Sequence, residues 1–171
     1  MSMRIVKNGD VHVSAPFGIS RKKVEEFINE HLDWIEEARK RNADKQKKRA
    51  DFYSQLPLNT RVQKDDAIKR LTALVEPMTE RYSKIMGVRP DSISYKPMIS
   101  RWGVCKFKNR SICFSIYLLL LPDWCIEHVV VHEMCHLLEP SHNARFHALM
   151  DKYYPQWREA RKKTCRLSLN N

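Results

Sequence analysis

His132-Glu133-Met134-Cys135-His136, with His142 shortly after it, is the stretch on which the reading of this chain turns. Residues four apart lie one turn apart on the same face of an α-helix, so His132 and His136 can present two imidazoles to one ion. Glu133 is rotated to the side, where its carboxylate reaches a water molecule rather than the ion. H-E-x-x-H on a helix is the zinc-hydrolase arrangement: two helical His ligands, a third ligand from further on and a Glu as general base. Seven His in 171 residues would give about 0.02 chance matches, so the motif outweighs a helix with two ordinary, non-metal histidines.

The flanks support a helix there. Cys125 to Val131 is apolar enough for a buried helix. On a helical projection Ile126, Val130, Met134 and Leu137 share one side, and His132, His136 and Glu139 the other. That predicts an apolar back and a ligand-bearing front. Pro140 and Ser141 should end the helix soon after Glu139. Asn143 suits the N-cap of a following helix containing Phe146, Leu149 and Met150, with His142 at its mouth pointing back at the first pair. His142 has the outer spacing of H-E-x-x-H-x-x-G-x-x-H, but Glu139 stands where that motif has its turn glycine. Glu139 is a rival third ligand, because sites with two His and one Glu exist. His142 is favoured, since with Glu139 a single short helix would have to deliver all three ligands. Cys135 points away from the ligand face and reads as core. His128, one turn before His132, reads as a core or surface residue, with support behind the ligands as the alternative. His12, His31 and His147 show no ligand spacing.

Working outward, Arg4-Ile5-Val6-Lys7 and Val11-His12-Val13 flank Asn8-Gly9-Asp10, a hairpin signal. Ser20 is an N-cap candidate for a helix from about Arg21 that continues through the basic residues 39 to 49 as an exposed arm. Leu56-Pro57-Leu58-Asn59 is a break. A second helical pattern runs from Ala67 to Ile85, with Pro77 expected to kink it and Gly87 as C-cap. Ser92 to Lys96, Trp102 to Phe107 and Ile112 to Ile116 read as strands, with Asn109-Arg110 as the turn between the last two. Pro155 marks a new helix, with Trp157 packing it to the core. The order gives an α+β class with a small antiparallel sheet, an active-site helix and an N-terminal hairpin plus long helix. The expected division is 1–62, hairpin and basic arm, and 63–171, the core.

Lys+Arg exceed Asp+Glu by 31 to 20, a net charge of +11. This favours anionic partners such as nucleic acid or nucleotides about as strongly as a merely solvated basic surface. Five cysteines without paired spacing argue against a disulfide framework. With no apolar leader and no run of about 18 apolar residues, the expectation is a reduced, cytoplasmic protein with no membrane contact.

Further residues carry a family likeness over nearly the whole chain. Val11 to Ser20, Trp34, Ser100-Arg101-Trp102-Gly103-Val104-Cys105, the His132 motif, and Ser141-His142-Asn143 with Phe146 resemble the YgjP-like metal-dependent hydrolases. That family is related to SprT-like and minigluzincin-type metallopeptidase domains. Val104 stands where the family has Ser, and His147 where it has Trp. The resemblance implies a zincin-like core with one Zn²⁺. It makes His132, His136 and His142 the metal ligands, Glu133 the base and Arg101 a substrate-binding residue. The implied reaction is peptide hydrolysis. Release of diphosphate from a nucleoside triphosphate, UTP in particular, is the alternative the resemblance carries. A SprT-like factor whose basic arm binds nucleic acid non-specifically is a third. For a peptide substrate, Ile112 to Ile116 is the candidate edge strand. For a nucleotide, Arg101, Lys106, Lys108 and Arg110 are the candidate cations, though a solvated strand face is the preferred reading of the last three. Trp102 reads as core.

Overall fold

The hairpin turn is where the local code is plainest. In this computed structural model, which describes residues 1–6 and 8–168, β1 (Ser2–Ile5) and β2 (Val11–Ser14) pair antiparallel, Ser2 opposite Ser14 and Ile5 opposite Val11. Gly9 takes φ 89°, a left-handed conformation that costs glycine little. The Asp10 N–H donates to the Asn8 side chain across the turn at 3.2 Å. Lys7, the end of the first expected run, lies outside the described residues.

The long helix expected from Arg21 is two helices, α1 (Arg21–Asn29) and α2 (Leu32–Ser54). Ser20 caps α1 as expected, accepting from the Lys23 N–H. The break has a side-chain cause. His31 Nδ1 donates to the Phe27 carbonyl at 2.8 Å, and its N–H bonds the Ile28 carbonyl, so the turn tightens and stops. α2 carries the basic stretch as a continuous, largely exposed helix. Arg39 donates to the Gly9 carbonyl and Asn42 to the Val6 carbonyl, tying α2 to the hairpin.

The chain forms two compact units, Met1–Asp51 and a second from Phe52 onward. The division falls inside α2, ahead of the expected 62/63 boundary. In the second unit α3 (Arg61–Met86) starts at a reciprocal capping box. Thr60 accepts from the Gln63 N–H, and the Gln63 side chain accepts from the Thr60 N–H. α3 ends at Gly87, φ 68°, and runs through Pro77 without interruption.

The second sheet comprises β3 (Ser92–Lys96), β4 (Gly103–Lys106) and β5 (Ser111–Ser115) in the order β3-β5-β4. β4 and β5 are antiparallel, joined through a 3-10 turn (Phe107–Asn109) and Arg110 at φ 44°. β3, however, is parallel to β5, so the sheet is mixed rather than wholly antiparallel. The cause is burial. β5 carries Ile112 and Phe114, both fully buried, and takes the centre, whereas β3 and β4 are more exposed and flank it. This also corrects the expected edge: within 112–116, residues 112–115 lie in the central β5 with a strand on each side, and β3 and β4 are the edge strands.

A second 3-10 segment (Ile116–Leu120) leads to α4 (Asp123–Cys135), then α5 (Ala144–Tyr153) and α6 (Trp157–Ser168). The class is α+β, as the element order implied. α4 lacks the simple apolar back and polar front expected of it. Cys125, Ile126, Val130, Val131, Met134 and Cys135 are all at most 1% exposed, so the helix is enclosed on nearly every side. It packs in one cluster with Leu71 and Val75 of α3, Phe114 of β5 and Phe146 of α5. Each fully buried aliphatic side chain contributes about 1.5–3 kcal/mol, which fixes the frame of the motif residues. All five cysteines are free thiols. No helix among the described residues is long and apolar enough to cross a membrane.

Candidate metal centre

α4 ends at Cys135, with His136 as its C-cap. Two turns' worth of backbone hydrogen bonds, Leu137 to Met134 and Glu139 to Cys135, then reverse the chain. Asn143 opens α5 by accepting from the Phe146 N–H at 3.0 Å. His142 is thereby carried back over the end of α4. Its Nε2 lies 3.0 Å from His132 Nε2 and 3.1 Å from His136 Nε2. One nitrogen from each of His132, His136 and His142 lies within 4.8 Å of the others.

The donor set fits a metal. A tetrahedral zinc with Zn–N bonds of about 2.0–2.1 Å holds its nitrogens about 3.3 Å apart. His136 Nδ1 faces the Glu139 carbonyl at 3.1 Å. A carbonyl only accepts, so Nδ1 carries the proton and Nε2 offers its lone pair inward. Burial pushes His132 down to about 2, reinforced by His136, His128 and His142 nearby. Burial also lowers His136, against the Glu139 carbonyl that raises it, and lowers His142, with His147 and Arg161 adding to the effect. All three imidazoles are therefore neutral at pH 7, as ligands must be. Glu139 is not among them: one carboxylate oxygen accepts from the Ser141 N–H and the other lies 4.0 Å from Arg145. The rival ligand is a brace for the turn.

Phe146 supports the cluster. Its ring, 1% exposed, has its centre 4.9, 4.6 and 4.7 Å from those of His132, His136 and His142. The sequence marked it as an apolar position on α5 and as part of the family likeness, not as a support for the histidines. Its place one turn after His142 is the signal that could have tied it to the ligands.

Glu133 is 5% exposed. Burial raises its carboxyl to about 8, opposed by a hydrogen bond from the Cys105 backbone N–H and by the charge of Arg101. β4 can come this close because residue 103 is glycine. A Cβ there would stand 2.6 Å from the Glu133 side chain. An isolated glycine within a strand pattern signals such an approach, and Gly103 carries that signal in the sequence.

Glu133, the three histidines, Gly103, Val104 and exposed Arg101 line one cavity of about 260 Å³. The other proposed cations lie elsewhere. Arg110 pairs with Asp91 and donates to the Arg89 carbonyl, and Lys106 and Lys108 are exposed and do not line it. Trp102 packs near Phe52 and Tyr53, as a core residue should. Cys135 is fully buried and Trp157 nearly so.

A family model described as YgjP-like, metallopeptidase domain, matches residues 1–61 and 57–166. The crystal structure of the metallopeptidase zymogen of Pyrococcus abyssi abylysin aligns with 57% of this chain and 97% of its own. The TM-score is 0.52 and the sequence identity 20%, a likeness of fold. No curated protein matches the sequence.

Proposed function

This chain belongs to the YgjP-like family of metallopeptidase domains, and from that premise we propose that it hydrolyses peptide bonds with one zinc ion held by His132, His136 and His142. The observation that carries this reading is the convergence of three Nε2 atoms beside a buried carboxylate on the wall of one cavity. Zinc, when bound, would supply Lewis acidity, polarising the scissile carbonyl and lowering the pKa of water to about 7.

The chain's own residues do the rest. Glu133 accepts a proton from the attacking water as its oxygen bonds to the carbonyl carbon. It returns that proton to the amine nitrogen as the C–N bond breaks. The Cys105 N–H holds the carboxylate in place between the two transfers. β4, the edge strand on the cavity wall, offers its free side to an extended substrate backbone. Arg101 at the cavity favours the second reading, diphosphate release from a nucleoside triphosphate, because a guanidinium suits phosphate. The exposed basic stretch of α2 supports non-specific phosphate binding, which a salt-sensitive DNA mobility shift would test.

The deciding experiment sets an unfolded protein and a nucleoside-triphosphate panel before the zinc-loaded protein and Glu133→Ala. Peptide cleavage should fall about 10²- to 10⁴-fold in the variant at unchanged zinc content. Diphosphate release that is lost in the variant, without any peptide cleavage, would replace the peptidase reading by the second.

A further inference from the structure

A second cavity, of about 590 Å³, extends from the histidine cluster past residues that the proposed cleavage does not employ. Arg101, His128, His147 and Arg161 contribute to its wall, beside Trp102 and Trp157. His128 is only 6% exposed, yet neither of its ring nitrogens has a hydrogen-bond partner. His147 Nδ1 is buried without one as well, its ring stacked on Trp157. Buried polar atoms are almost always satisfied, so three unpartnered imidazole nitrogens on two wall residues of one cavity call for a polar partner.

Water alone would satisfy the imidazoles, but it leaves the charge unexplained. Arg101 and Arg161 make no ion pair or side-chain hydrogen bond among the described residues. At least ten other arginines do: Arg21, Arg39, Arg41, Arg61, Arg70, Arg81, Arg89, Arg110, Arg145 and Arg158. Glu133, the base, is the one carboxylate among the cavity's wall residues. Two guanidiniums and two under-used imidazoles against a single carboxylate make an electropositive recess. A guanidinium presents a planar fork of donors that matches two oxygens of one anion. The recess shares Arg101, Gly103, His132, Glu133 and His142 with the cavity of the metal centre, so an anion in it is attached to whatever is being cleaved.

We infer that this recess is a subsite for an oxyanion group of the substrate, a carboxylate or a phosphate, gripped by Arg101 and Arg161 with His128 and His147 donating to it. The inference rests on the hydrolase reading and gives it a substrate class: molecules bearing an anionic group close to the scissile bond. His147 stands where the resembling family has Trp, so this chain presents an imidazole at that place in the recess.

Binding is measured on the zinc-loaded full chain by tryptophan fluorescence, since Trp102 and Trp157 border the recess. The probes are N-acetylglutamate and inorganic phosphate, with N-acetylglutamine as the neutral control. Saturable binding of an anionic probe, weakened about 10- to 100-fold in Arg161→Met and partly restored in Arg161→Lys, is the expected result. Which probe binds more tightly distinguishes carboxylate from phosphate. Coordination of the probe to zinc would not respond to Arg161, so binding equal in wild type, Arg161→Met and Arg101→Met overturns the subsite. Binding of neither probe overturns it too. Arg101→Met carries the test should Arg161→Met fail to fold. In a matched peptide pair, the glutamyl over glutaminyl preference in kcat/KM should fall by the same factor in Arg161→Met. Arginine-dependent binding without any zinc- and Glu133-dependent hydrolysis would sink the hydrolase reading alone. Hydrolysis without such binding would sink the subsite alone.

Discussion

α2 has 23 residues and buries Ile35 and Tyr53; α4 has 13 and buries nine of them. α2 is held along much of its length by its own turns, by pairs such as Arg41 with Glu37, and by two side-chain bonds to the hairpin. Such exposed pairs contribute about 0.3–0.5 kcal/mol each, so most α2 side chains are free to vary. α4 has almost no free side. Its apolar residues meet α3, β5 and α5, while among its polar residues Glu127 bonds Tyr82 of α3 and His132 and Glu133 meet the cavity. The chemistry sits where the backbone has least freedom, which is what a base that must be placed within a fraction of an ångström requires.

That contrast can be broken most directly by truncation. Met134→Ala removes a fully buried side chain and should cost about 2–5 kcal/mol in urea unfolding. An equal loss from Lys47→Ala on α2 would show that the two helices do not differ as described. Gly103→Ala sharpens the comparison from the strand side. The new Cβ must displace the Glu133 carboxylate, so kcat/KM should drop on the order of 10²-fold while zinc content, read by atomic absorption, stays at wild type.

A subtler effect comes from pH, measured as Tm on chelated protein. His128, pushed down to about 4 by burial and then by Arg161, and His132, His136 and His142, also lowered chiefly by burial, bind protons less readily folded than unfolded. Their stabilisation is complete above about pH 6.5 and is lost as pH falls, for His128 through about 4. Glu133 runs the other way. With its folded value near 8, its contribution is present below its ordinary 4.5 and is lost as pH rises through about 8. The metal-free protein should therefore have its highest Tm near pH 6.5, with four imidazoles outweighing one carboxylate on the acid side. A Tm still rising from pH 6.5 to 8 would contradict the dominance of burial over the Cys105 and Arg101 contributions at Glu133. The smallest effect is that of Lys47→Ala itself, expected within about 0.5 kcal/mol of wild type.

What could be read in advance was what depends on near neighbours. The helical spacing of His132 and His136, the Gly9 turn, the Ser20 and Asn143 caps and the Gly87 stop all have causes within four residues, and all appear in the structure. The break at residues 30–31 was equally local, but His31 bonding back to Phe27 looks like any other helical residue until its rotamer is known. The parallel pairing of β3 with β5, and β5's place at the centre, depend on which strand the core claims. Alternation in a five-residue run says nothing of that. Arg101 stood apart from Arg110 in the sequence only through the family element; tertiary structure pairs Arg110 with Asp91 and leaves Arg101 at the cavity.

The ligand nitrogens all come from the short span between His132 and His142, whereas the hydrogen bond to Glu133 arrives from Cys105. In folding terms the first is a low-contact-order event and the second a long loop closure, and local contacts form sooner. A chain with α4 and the start of α5 in place already has its imidazoles gathered. It has no positioned base until β4 docks. Gathering the three imidazoles and placing the carboxylate beside them are thus separate contacts in the folding of the chain, the first local and the second long-range.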